Sequence, residues 1–127
     1  MQIFLGYISK MYYYLFSMSD DDIDDFHIND EGCRAKLFDA MKTDFETYGP
    51  MSKKRVLEAI EFILSSRDLE RYWRAVVPHA LPLDEIVDKP GYLRALYQKL
   101  AEHEPPQKEY GADVQLISDL HNIDFRL

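Results

Sequence analysis

Apolar residues recur at intervals of three and four along most of this chain, the period of a helix with one buried face. Leu37, Phe38, Met41, Phe45 and Tyr48 form one such stripe. Asn29 or Asp30 can cap its first turn, and Gly49-Pro50 ends it. Val56, Leu57, Ile60, Ile63 and Leu64 predict a second helix over 52–64, and Leu69, Tyr72, Trp73, Val76 and Val77 a third over 66–77. Pro78 and Pro82 bracket a connection, and Leu83 to Val87 reads as a single helical turn. Asp88-Lys89-Pro90 opens a further helix, with Pro in its first turn and Leu93, Leu96, Tyr97 and Leu100 inward. His103-Glu104-Pro105-Pro106 breaks it. A last helix is expected over 112–120 on the spacing of Val114, Ile117 and Leu120, followed by Ile123, Phe125 and Leu127 as a docked extended tail.

The first eighteen residues are less decided. Phe4, Ile8, Met11, Tyr12 and Leu15 follow the helical period, yet the β-branched and aromatic content also suits two short strands. The pattern predicts an all-α fold of five or six helices in a single domain over 1–127. The N-terminal segment is then a buried helix or a short hairpin. Phe45, Ile60, Trp73 and Leu96 sit mid-stripe and are expected in the core.

Charge changes the picture at one place. Residues 1–32 hold seven acids against one base, and the remaining residues sixteen against fourteen, within a net charge of -8. Five of those seven are Asp20, Asp21, Asp22, Asp24 and Asp25. Like charges this close repel one another, so the segment is expected to be solvated or to face a cation. From Asp20, the residues Asp20, Asp22, Asp24 and Glu31 match four ligand positions of a calcium loop, but Asp25 stands where such a loop needs Gly. No metal is therefore expected. Lys53, Lys54 and Arg55 open the second helix against its dipole, and either extend into solvent or reach an acidic neighbour such as the Asp20–Asp25 run. Arg67, Arg71 and Arg74 form a basic stripe read as a solvated face.

Several chemistries lack their residues. His27, His79, His103 and His121 stand in no zinc spacing, and the chain has no Gly-rich phosphate loop, no GxSxG and no paired cysteines. Cys33 is the sole cysteine, so nothing demands an oxidising compartment, and a cytoplasmic location is expected. The acid excess opposes direct nucleic acid binding, which needs clustered Lys and Arg. Lys10 interrupts the apolar N-terminal stretch, which is short for a membrane span and lacks a signal peptide's basic start. No cofactor and no catalytic activity are expected.

What remains is a surface for a basic protein. A nuclease attracts phosphate with a positive groove, and an acidic folded surface can occupy it. The leading expectation is a small inhibitor or immunity-type protein that neutralises a basic partner such as a toxin nuclease. Asp20, Asp21, Asp22, Asp24 and Asp25 would supply the field, and Tyr12, Tyr13 and Tyr14 the aromatic contacts. The alternative is a self-associating adaptor or assembly module without catalytic activity, pairing through residues 12–16. Monomer and dimer are both open at this stage.

Overall fold

The structure, a computed structural model, describes residues 1–117 and 123–127. The chain is mostly helical, with one small sheet among the described residues. Strand β1 (Gln2–Phe4) leads into a 3-10 helix (Leu5–Met11), then short helices α1 (Tyr13–Phe16) and α2 (Asp20–Asp24). Two long helices follow, α3 (Glu31–Glu46) and α4 (Pro50–Ser65). Next come α5 (Leu69–Tyr72), a 3-10 turn (Trp73–Ala75), α6 (Lys89–Ala101) and strand β2 (Gln115–Ile117).

Local chemistry sets the long helices. The Asp30 side chain accepts a hydrogen bond from Cys33 N at 2.9 Å, so Asp30 caps α3, and Asn29 serves elsewhere. Asp88 caps α6 by accepting from Gly91 N at 3.0 Å, and a Cβ at Gly91 would collide with that carboxylate. Glu102 ends α6 in the left-handed region, at φ 63°. The expected stripes are buried: Leu37, Phe38, Met41 and Phe45 on α3, Val56, Ile60 and Ile63 on α4, and Leu93, Leu96, Tyr97 and Leu100 on α6. Helix α6 packs on both α3 and α4, while the other side of α4 meets β1 and the 3-10 helix.

Four expectations need correction. Residues 2–18 form neither one helix nor a hairpin. They split into a strand, a 3-10 helix and one α turn, because Ile3, Leu5, Tyr7, Ile8, Met11, Tyr12 and Leu15 are all buried, a set that no single helical face presents. The expected helix over 112–120 is, among the described residues, a turn at Ala112 and Asp113 followed by a strand at Gln115–Ile117. Gln115–Ile117 pairs in parallel with Gln2–Phe4, in the register Ile3 to Leu116, and Leu120 lies outside the described residues. A three-residue spacing of apolar side chains over so short a stretch does not fix the period, and the free edge of β1 offers backbone partners. The third helix is broken into α5 and a 3-10 turn, and Trp73 is half-buried rather than core. Residues 83–87 make no helical turn. Asn29 holds this stretch instead, donating to Glu85 O at 2.8 Å and accepting from Val87 N at 3.0 Å.

The C-terminal residues do dock, and they complete α4. Gly49 N donates to Phe125 O at 2.8 Å and Ser52 N to Leu127 O at 2.9 Å. These contacts satisfy N–H groups that a helix start leaves free and that Gly49, lacking a side chain, cannot cap. A Cβ at Gly49 would strike the carbonyl oxygens of Arg126 and Leu127, so the close approach requires glycine. Phe125 stacks on Tyr48 with centroids 4.5 Å apart. The basic opening of α4 is resolved by neighbours other than the acid run. Lys53 Nζ lies 3.6 Å from Glu46, and the Arg55 guanidinium covers the Phe4 ring at 4.1 Å while donating to Tyr7 Oη at 3.0 Å.

Candidate functional site

The acid run is a helix rather than a loop. Ser19 caps α2 by accepting from Asp22 N at 3.2 Å, and Asp20, Asp21 and Asp22 fall in the first turn, where free N–H groups favour negative charge. Ile23 is buried beneath the turn, and Phe26 and Ile28 are buried just after it. Those three side chains pin a segment whose carboxylates all point outward: Asp20, Asp21, Asp22, Asp24 and Asp25 are exposed. Among the described residues none of the five takes part in an ion pair. Several acids elsewhere are paired. Glu46 pairs with Lys42 at 2.6 Å, Asp39 with Lys99 at 2.5 Å, and Glu70 and Glu85 with Lys89 at 2.7 and 3.3 Å.

The three tyrosines separate. Tyr12 is fully buried, and its hydroxyl lies 2.7 Å from Tyr92 Oη, so it is a core residue and cannot reach a partner. Burial, with the Tyr92 hydroxyl beside it, pushes the Tyr12 hydroxyl well above its ordinary range. Tyr13 is 71% exposed, and Phe16 one turn on is 53% exposed. Tyr14 is half-buried and lines a groove with Met18, Phe26 and Cys33, edged by Asp22 and Asp25. The helical form of Asp20–Asp24 also spreads the residues that match a calcium loop around a turn. Among the described residues no group of three or more His, Cys, Asp and Glu side chains is placed to hold a metal ion. His27 turns to Asp84, with Nδ1 at 3.2 Å from the carboxylate.

A second polar cluster escaped sequence reasoning. Glu61 on α4 is only 6% exposed. Tyr97 Oη donates to its Oε2 at 2.8 Å, and Lys108 Nζ lies 2.5 Å from its Oε1 without the alignment of a hydrogen bond. Burial and the adjacent carboxylate raise the Tyr97 hydroxyl far above its ordinary range. A signal was present: Glu61 is four residues from Leu57 and three from Leu64, which places a carboxylate on an apolar face. Its partner Lys108 comes from an irregular segment of no readable pattern.

Comparisons with protein-family models, with curated proteins and with solved structures find no match to this chain. No helix among the described residues is long and apolar enough to cross a membrane.

Proposed function

We propose that this protein is a small inhibitor of the immunity type, which binds a basic partner such as a toxin nuclease through α2. The observation that carries the reading is the contrast in pairing. Five exposed carboxylates stand on one fixed turn with no cation paired to them among the described residues, while acids such as Asp39, Glu46, Glu61 and Glu70 are paired. Concentrated, unneutralised charge produces a directed field, which speeds capture of a cationic surface. Exposed Tyr13 and Phe16, on the preceding turn, are available as aromatic contact area.

The test uses one variant, with Asp20, Asp21, Asp22, Asp24 and Asp25 all changed to Asn, against the protein captured by the unaltered chain from its own cells. A basic captured protein is expected, with an association rate that falls in the variant and a weaker salt dependence. The reading fails if the captured protein is not basic, or if the variant associates at the same rate.

Exposed Tyr13 and Phe16 favour a second reading, the self-associating module. Lys10, Arg74 and His79 flank these rings, so this surface carries cations of its own that acids of a second copy could meet. Light scattering decides between the readings. A dimer that becomes a monomer on changing Tyr13 and Phe16 to Ala favours self-association, and a monomer at all concentrations favours the inhibitor.

A further inference from the structure

The cavity over Glu61 has a volume of about 720 Å³ and is lined by Leu64, Ser65, Arg94, Pro105, Pro106 and the Glu104–Glu109 segment. It lies apart from α2, and nothing in the proposed function uses it. Glu61, which is buried, is part of its lining. Tyr97 satisfies one carboxylate oxygen, and the other faces the ammonium of Lys108 at 2.5 Å. Tyr110 packs edge-on against Phe62 with centroids 5.2 Å apart, and its hydroxyl is buried without a hydrogen-bond partner among the described residues. Lys108 itself is 43% exposed and belongs to the irregular segment after α6, so a hydrated state lies open to its side chain.

A buried carboxylate is costly unless a cation meets it, so a position at Glu61 Oε1 is kept for a positive group whatever supplies it. Lys108 shows which cation fits: a primary ammonium on an alkyl chain. Once that side chain swings out, the pocket presents the Glu61 carboxylate, with Glu104, Glu109 and Arg94 also in its lining.

We propose that this cavity is a binding site for an alkylammonium ligand, with Glu61 as its anchor and Lys108 as a built-in occupant that the ligand displaces. The far end of the ligand identifies its class. A diamine would place its second ammonium by Glu104 and Glu109, and an ω-amino acid would place its carboxylate by Arg94.

Calorimetric titration of the whole chain with diaminopentane and with ε-aminocaproate tests this, against sodium chloride at equal ionic strength. Lys108→Ala removes the internal competitor, and the better ligand is expected to bind about tenfold more tightly or better than to the unaltered chain. Adding Glu61→Gln to that variant is expected to abolish binding. Arg94→Ala is expected to weaken aminocaproate alone, which separates the two ligand classes. The proposal is overturned if folded Lys108→Ala binds neither amine above the salt control, or if Glu61→Gln leaves binding intact. Should Lys108→Ala fail to fold, the unaltered chain decides through nuclear magnetic resonance of the Lys108 side chain. Signals that move to the values of a hydrated lysine on adding amine support the site, and signals unmoved at saturating amine overturn it.

Discussion

Two acidic regions of this molecule follow opposite rules. On α2 and its C-terminal cap Asp25, five carboxylates are exposed and none is paired among the described residues; in the cavity beside α6, Glu61 is buried and held by both Tyr97 and Lys108. Solvent explains the difference. Water screens and hydrates the α2 charges, so their crowding costs little and leaves their field available to a partner. Glu61 has lost that water, and an unpaired charge there would carry a desolvation penalty of several kcal/mol. The acids that dominate the composition are thus expected to matter little for folding, and the single acid hidden in an apolar stripe to matter much.

The hardest break of this contrast is in the packing next to Glu61. Ile60 is fully buried, so Ile60→Ala should destabilise by about 2–5 kcal/mol in denaturant unfolding. A change of only about 0.5 kcal/mol, the range of surface substitutions, would mean that this face of α4 is not core.

Glu61→Gln comes next. It keeps the side-chain size while removing the acceptor charge for Tyr97 and the partner of Lys108, and a loss of about 1–3 kcal/mol is expected. Thermal or urea unfolding reads it, and an unchanged midpoint would place Glu61 on the same footing as the α2 acids.

Alkaline pH probes a buried group of another kind. Burial, with Asp44 adding to it, pushes the Tyr48 hydroxyl from 10.0 up to about 12. A raised tyrosine pKa favours the neutral form in the folded state, so its contribution is intact below the unfolded value. It is lost as pH climbs through the window from 10.0 to about 12. Tyr48 stacks on Phe125, so the docked tail should loosen over that window, seen as tyrosinate absorbance rising together with loss of amide protection near Gly49. Protection that persists through this ionisation would break the link between Tyr48 and the tail.

The smallest stability effect is predicted where the charge is greatest. Changing Asp20, Asp21, Asp22, Asp24 and Asp25 together to Asn should shift unfolding by no more than about 0.5 kcal/mol, with the sign toward stabilisation as repulsion is relieved. A large loss would show that α2 needs its charge for folding, and the comparison with Glu61 would collapse.

How much of this was readable from the chain depended on how local the cause was. The sequence leaves the cap of α3 open between Asn29 and Asp30. It reads Gly49-Pro50 as the stop of α3, whereas α3 ends at Glu46 and Gly49-Pro50 instead takes the cap position of α4 and opens it, with Gly49 at φ -71°. The periodic stripes of α3, α4 and α6 are set by neighbours within a few residues, and sequence alone determined them. So was the acid run as an exposed feature, because five like charges cannot be buried together. Tertiary structure decided the rest. Tyr12, Tyr13 and Tyr14 are chemically alike, and only the position of Tyr92 eighty residues away makes Tyr12 a core residue while Tyr13 stays in solvent. Gln115–Ile117 became a strand because the backbone of Gln2–Phe4 was there to pair with it. Glu61 met Lys108 across forty-seven residues of chain, much of it without regular pattern. Periodicity reports which face of an element is buried. It carries no information on which distant group will meet that face, since such contacts are chosen by the packing of the whole molecule.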